Sequence, residues 1–312
     1  MGSMKAAIIT AQGLGDGLIM MIIAYHLKKT GYQVTVFNKH LFSFYNWFPE
    51  YTFTSKFDIK KLPDFDVVIL QHDNSPEANA LAEWKKKNSL KDLYVLYTNY
   101  RFNKHGILDF TTDYPYNQSR TMVFNTVSAI KHFFPDINAT NENGIQIPKH
   151  LTYQKYQKRI LLHPTSGDAA KNWEPNSFLK LATLLKRKGF SPYFIISEKE
   201  KPHWQWVESK GFMLQAFSDL SNLASFIYES KALIGNDSGP SHLASNLKIP
   251  CLVIAKRRQN MLQWKPDFGP AKIIFPPRYM INLKFLRLKD YFWKKLIRPK
   301  KVFNNLILTI NN

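Results

Sequence analysis

The sequence predicts an α/β protein of two doubly wound, Rossmann-like halves facing each other across a cleft, and three observations carry that expectation. Apolar strand segments alternate with helical ones along most of the 312 residues. The strands are too uniformly apolar to turn a face to water, which puts them in parallel sheets covered on both sides. The alternation stops once, in the polar, turn-rich stretch 136–149 and the tyrosine- and lysine-rich stretch 153–159, and then restarts, which marks a domain boundary. Ligands of such folds bind outside the carboxyl ends of the strands, so the site is expected between the halves.

The elements follow in order. Lys5 to Thr10 reads as a strand, Gln12-Gly13-Leu14-Gly15-Asp16-Gly17 as a tight glycine turn, and Leu18 to Lys28 as a helix. Strands at Gln33–Phe37, Phe65–Gln71 and Leu93–Tyr97, with a charged helix at Pro76–Lys87, complete an N-terminal domain over 4–150. The second half repeats the unit over 157–290. Its expected strands are Arg159–His163, Tyr193–Ile196, Ala232–Gly235 and a closing Cys251–Ile254; its expected helices are Ser177–Lys188, Lys201–Lys210, Leu220–Glu229 and Ser241–Asn246. Residues 291–312 form a basic helical segment able to pack back on the N-terminal domain.

Hydrophobic residues make up 45% of the chain, enough for two cores. The single cysteine, Cys251, lies in an apolar run, so neither a disulfide framework nor a thiolate metal site can be built, which fits a reducing cytosol. Met1-Gly2-Ser3-Met4 reads as a cloning remnant, and no run of about 18 apolar residues follows it, so a protein neither secreted nor membrane-spanning is expected. The formal charge of +20 attracts polyanions. Nucleic acid is disfavoured because the basic runs are scattered and no nucleic-acid module is recognisable. From Asn282 to Lys301, however, eight Lys or Arg stand against one acid and alternate with Phe285, Leu286, Tyr291, Phe292, Trp293, Leu296 and Ile297, as in a basic amphipathic surface element.

Three segments place chemistry at strand ends. In Gly13-Leu14-Gly15-Asp16-Gly17 the glycines allow a sharp turn and leave a carboxylate at the mouth of a helix, where Asp16 reads locally as an N-cap. Leu18 occupies the last glycine position of the dinucleotide fingerprint, which argues against a dehydrogenase. In Asn236-Asp237-Ser238-Gly239-Pro240-Ser241-His242 a strand gives way to a helix whose N-terminus suits a pyrophosphate; Asp237 would cap the helix or bind sugar hydroxyls, and His242 would contact ligand or face the core. In His163-Pro164-Thr165-Ser166-Gly167-Asp168-Ala169-Ala170-Lys171-Asn172-Trp173, Lys171 can neutralise a phosphate or remain an ordinary surface lysine.

In this order the three segments resemble the bacterial ADP-heptose:lipopolysaccharide heptosyltransferases, inverting glycosyltransferases of the GT-B fold, and the resemblance covers most of the chain. It implies Asp16 as catalytic base within a G-x-G-D segment, with Gly13, Gly15 and Gly17 on the acceptor side. It implies Lys171, followed by Trp173 and Pro175, as the catalytic cation. Asp237, Ser238, Gly239 and His242 match the family's D-[ST]-G-x-x-H segment, Thr165 and Ser166 its phosphate-side hydroxyls, and Glu200, or else Glu198, its ribose-binding acid. No cofactor or metal is expected. The implied partners are a nucleotide sugar, ADP-heptose, and an anionic glycolipid acceptor on the inner-membrane surface, reached peripherally from the cytoplasm; no nucleic acid is implied. The pKa of Asp16 is expected to be lowered by its helix N-terminus. The family's turn resembling F-G-x-T-D-P is replaced by Ala255-Lys256-Arg257-Arg258-Gln259-Asn260, which opens the identity of donor and acceptor to a UDP- or GDP-sugar. A rival metal reading of Asp64-Phe65-Asp66 is weakened by its position at a strand start.

Overall fold

The computed structural model describes residues 4–55, 57–88, 92–258, 261–277 and 288–311. The chain divides into two compact units, 1–148 and 149–312. In the first unit the elements are β1 (Lys5–Ile9), α1 (Leu14–Lys29), β2 (Gln33–Phe37), α2 (Lys39–Phe42), β3 (Thr52–Thr54), β4 (Val67–His72), α3 (Pro76–Asn88), β5 (Leu93–Tyr97), α4 (Phe102–His105), β6 (Asp113–Pro115) and α5 (Met122–Phe133). The second unit holds β7 (Tyr156–His163), α6 (Pro175–Arg187), β8 (Ser191–Ser197), α7 (Lys201–Trp204), α8 (Trp206–Ser209), β9 (Met213–Phe217), α9 (Leu220–Tyr228), β10 (Ser230–Asn236), α10 (Gly239–Asn246), β11 (Cys251–Ile254), β12 (Ala271–Ile274), α11 (Leu288–Leu296) and α12 (Pro299–Ile310).

Both sheets are parallel, six-stranded and wound alike: β3-β2-β1-β4-β5-β6 in one and β12-β11-β10-β7-β8-β9 in the other. Read from each unit's own first strand, the two orders are the same. The strand order reverses between β1 and β4 in the first unit and between β7 and β10 in the second, and at such a switch point the loops diverge to leave a crevice. All four of these strands are buried at their carboxyl ends by the apolar runs that predicted them, with Ala6, Ala7 and Ile8 of β1 and Leu161 and Leu162 of β7 wholly inaccessible.

Several expected boundaries move. The glycine segment is not a turn throughout: α1 begins at Leu14, so Gly15 and Gly17 lie inside its first turns and only Gly13 precedes it. Gly17 is there because a Cβ would stand 2.9 Å from the Asn38 amide nitrogen and 3.1 Å from Leu41. Tyr156 to Lys158 open β7 instead of belonging to a linker, and Cys251–Ile254 is not the last strand, because β12 pairs with it. The expected helix Lys201–Lys210 is two short pieces, α7 and α8.

The C-terminal basic stretch was expected to begin at Asn282; its residues 282–287 lie outside the described residues. Beyond them Trp293 and Ile297 are buried in the core of the second unit with Val302 and Leu306, and α12 packs against α6. Phe292 stays exposed. Among the described residues no helix is long and apolar enough to cross a membrane.

Candidate active site

In the first unit the switch point is closed by one amide. Gln71, at the end of β4 and buried, accepts a hydrogen bond from the Ala11 backbone N–H (3.0 Å) and donates to an Asp16 carboxylate oxygen (2.9 Å). From the neighbouring strand end, the buried Asn38 donates to Thr10 Oγ1 at 2.8 Å and to the Ala11 carbonyl at 3.1 Å, so the loop before α1 is fixed from both sides.

Asp16 is not the N-cap. Gly13 occupies that position with no side-chain cap, and Asp16 sits in the first turn, its carboxylate so close to Gly13 that a Cβ there would collide with it. The expected depression of its pKa is reversed as well. Burial raises it to about 6, the charge of Asp73 adds to the rise, and the opposing hydrogen bonds from Gln71 and from the backbone N–H groups of Asp16 and Gly13 do not offset them. The helix terminus does act in the expected direction; desolvation is larger. A carboxyl in this state is ionised at neutral pH yet basic enough to take a proton, as a general base requires. Beside it, a cavity of about 270 Å³ opens between Ala11, Gln12, Phe37, Phe57, Gln71 and Asp73.

In the second unit β7 and β10 meet at their switch point through Asn236. Its amide donates to the Pro164 carbonyl (2.7 Å) and accepts from the Trp173 backbone N–H (2.9 Å), tying the loop that carries Lys171 to the strand that leads into α10. Trp173 is a core anchor, with its ring edge against Phe178 and its indole N–H donated to the Lys294 carbonyl at 2.8 Å. Lys171 Nζ reaches Asp237 at 3.4 Å from a half-exposed position. The expectation that Asp237 caps α10 does not hold: Ser238 is the N-cap residue, and it makes no capping bond. The hydroxyl of Ser238 lies instead 3.1 Å from His163 Nδ1.

Of the other expected residues, Thr165 is buried beside His163, and Ser166 is committed within its own loop, donating to Asp168 O and to Asn172 Oδ1 at 2.6 Å. Glu200 is separated from Glu198 by its surroundings. Its carboxylate accepts from both the backbone and the hydroxyl of Ser197, and although burial pushes its pKa up, those bonds and one from Thr165 bring it below the usual value. Glu198 is exposed. His242 is buried and held neutral by desolvation, with Asp237 pulling the other way. In the replaced family turn, Arg258 covers the Phe275 ring at 4.7 Å, while Gln259 and Asn260 lie outside the described residues. Asp66 accepts the Lys5 backbone N–H (2.7 Å), a strand-start role, and among the described residues no group of His, Cys, Asp or Glu is arranged to hold a metal. Sequence reasoning missed Asn38, Gln71, His163 and Asn236.

Two like-wound parallel sheets, each with a polar cluster at its switch point, are the architecture of the GT-B class. The sequence profile of glycosyltransferase family 9 (heptosyltransferase) matches residues 99–260, more than half of the chain, and the protein belongs to that family. None of the curated proteins matches the sequence. Among solved structures, ADP-heptose lipopolysaccharide heptosyltransferase II of E. coli superposes with a TM-score of 0.69 at 16% identity, over 99% of this chain and 100% of that one. E. coli heptosyltransferase WaaC with ADP gives 0.65 at 10% identity, over 98% and 100%. The dodecameric, iron-containing glycosyltransferase TibC of enterotoxigenic E. coli H10407 gives 0.59 at 12%, over 99% and 76%. At these identities the likeness is one of fold.

Proposed function

We propose that the chain transfers heptose from ADP-heptose to a lipopolysaccharide core with inversion, and that Asp16 is its base. The observation that carries this reading is the desolvated Asp16 carboxyl, held by Gln71 and raised to about 6. Asp16 takes the proton of the acceptor hydroxyl as that oxygen attacks the anomeric carbon, and the nucleotide diphosphate leaves from the opposite face. Lys171, Ser238 and the free N–H end of α10 at Gly239 meet the developing negative charge, which preorganised donors and a cation can stabilise without a metal. Glu200 takes the ribose, Thr165 and Ser166 lie on the phosphate side, and Asp237, besides orienting Lys171, meets the sugar with His242. E. coli heptosyltransferase WaaC has been solved with ADP and with ADP-2-deoxy-2-fluoro heptose, which supports the choice of donor.

The acceptor is an anionic glycolipid on the cytoplasmic face of the inner membrane. The Lys and Arg residues of the stretch ending at Lys301 support peripheral attachment there, since each near an anionic surface contributes about 1 kcal/mol, whereas its Trp293 and Ile297 belong to the core.

The test is transfer and binding measured together. Asp16→Ala should lose about 100-fold or more in transfer while thermal stabilisation by ADP persists; equal loss of both would make Asp16 a structural residue. Stabilisation by UDP or GDP instead of ADP would replace the donor. If the protein fails to sediment with phosphatidylglycerol vesicles at low salt, the membrane part falls.

A further inference from the structure

The cavity beside Asp16 lies wholly within the first unit, where α1 and α3 begin: Ala11 and Gln12 lead into the one helix, and Asp73, Ser75 and Glu77 stand at the start of the other. A helix N-terminus is a ready place for an anion, because its first N–H groups are unpaired and its dipole is positive there. In the second unit α10 keeps that property, since Ser238 makes no capping bond. The start of α3 has largely lost it. Pro76 has no N–H, the Ala78 N–H is donated to Ser75 Oγ (3.2 Å), and the Ser75 N–H is donated to the Asp73 carboxylate (2.9 Å). Glu77 adds a second negative charge in the first turn. The segment is held in place, for Asn74 between Asp73 and Ser75 is left-handed at φ 70° and its side-chain oxygen meets His105 Nε2 at 2.8 Å.

The remaining walls suit a ring with hydroxyls. Phe37 and Phe57, which also line the cavity, pack edge to face with centroids 5.3 Å apart and offer an apolar surface to the C–H face of a sugar, while Ser55 and Gln12 add exposed polar groups. The volume of about 270 Å³ falls just below the usual range of small-molecule pockets and fits one sugar ring. Among the described residues that line it there is no Lys, Arg or His to set against the two carboxylates.

A phosphate or carboxylate seated here would face Asp73 and Glu77 without a cation. It would also act on the base. Gln71 lines the cavity and bonds Asp16 at 2.9 Å, and the charge of Asp73 already pushes the Asp16 carboxyl up; further negative charge would drive it toward the protonated form at neutral pH. A ring bearing only hydroxyls has neither fault, because its O–H groups can donate to both carboxylates.

We infer that this cavity receives the acceptor sugar and that Asp73 and Glu77 are specificity-determining residues, restricting that sugar to one without phosphate or carboxylate. This rests on the reading of Asp16 as the base and names the class of ring whose hydroxyl it deprotonates. The anionic groups of the glycolipid then lie outside the cavity.

The experiment measures transfer from ADP-heptose by the full-length protein to two synthetic core oligosaccharides that differ only in a phosphate monoester on the accepting sugar. The unphosphorylated acceptor is expected to have a kcat/KM at least about tenfold higher, as like charges brought together in a site are strongly disfavoured. With Asp73→Asn and Glu77→Gln combined, the ratio is expected to fall below about threefold. A preference for the phosphorylated acceptor, or a ratio that the double variant leaves unchanged, overturns the inference alone; transfer to neither acceptor overturns the transfer reading and the inference with it. The charge of the cavity has a readout that needs no transfer. Ser55→Cys places a thiol in its wall, and Cys251, being buried, does not compete. Relative to a free thiol, a sulfonate-bearing methanethiosulfonate should label it at least about tenfold more slowly than a trimethylammonium-bearing one, and the double variant should bring the two rates together. Equal rates without those substitutions also overturn the inference.

Discussion

Residues 1–148 carry 15 Lys and Arg against 13 Asp and Glu, a net +2, whereas residues 149–312 carry 28 against 10, a net +18, although both units wind six parallel strands in the same order. One scaffold thus hosts two electrostatic regimes, and the roles proposed for Asp16 and Lys171 would each need the regime of its own unit. A carboxyl that must accept a proton near neutral pH needs desolvation and few cations, because each nearby cation would pull its pKa back down. Asp16 has that setting, with Asp73 as the charge that raises it. A site for a leaving diphosphate needs the opposite, and Lys171 stands in the unit that holds nearly all the excess charge.

The largest effect that can break this comparison is Asp16→Asn, expected to lower kcat by about 100-fold or more and at the same time to raise thermal stability. The sign follows from linkage. A carboxyl whose folded pKa lies above its unfolded one contributes most below the unfolded value and loses that contribution as pH rises from about 4 through about 6, so at neutral pH its ionisation is a cost. Removing it should return of order 1 kcal/mol, discounted for the partial exposure of Asp16, and a Tm higher by a few degrees. A Tm that falls instead would show the charge to be stabilised where it stands. Next, Lys171→Ala should reduce transfer about 10- to 100-fold and weaken ADP binding, since it removes a cation from the developing charge; calorimetry and initial rates measure the two.

Asn236→Ala should cost about 1–3 kcal/mol of stability in chemical denaturation, because it leaves the Trp173 N–H and the Pro164 carbonyl unpaired where both are buried. Smaller still, the acid limb of the rate profile is expected near pH 6, with activity lost as pH falls through it. Asp73→Asn should move that limb down by a few tenths of a unit. If the limb stays in place, Asp73 is not part of what holds Asp16 up.

Much of this was legible in the sequence, and what was not has a common cause. The apolar runs announced the long strands, and the segments around Asp16, Lys171 and Asp237 announced the polar clusters at strand ends. Short strands escaped: Asp113-Tyr114-Pro115 of β6 and Thr52-Phe53-Thr54 of β3 have neither the length nor the uniform apolarity of the others. Gln71, His163 and Asn236 escaped differently. Each is a polar residue at the end of an otherwise apolar strand, with a partner 55 to 75 positions away across a switch point that only the strand order defines. The pKa of Asp16 differs from the expectation for the same reason: the helix N-terminus is local and visible, whereas the burial that outweighs it, with the charge of Asp73 added, is made by the fold.

Trp173 has a consequence for anyone exchanging parts between members of this family. Its indole N–H is donated to the Lys294 carbonyl, 121 positions downstream, while its backbone N–H is donated to Asn236, so one end of the loop bearing Lys171 is pinned both to a strand and to α11. A chimera that imports a new donor loop without the matching C-terminal helix inherits the lysine but not the clamp. The transplantable unit is the loop together with α11.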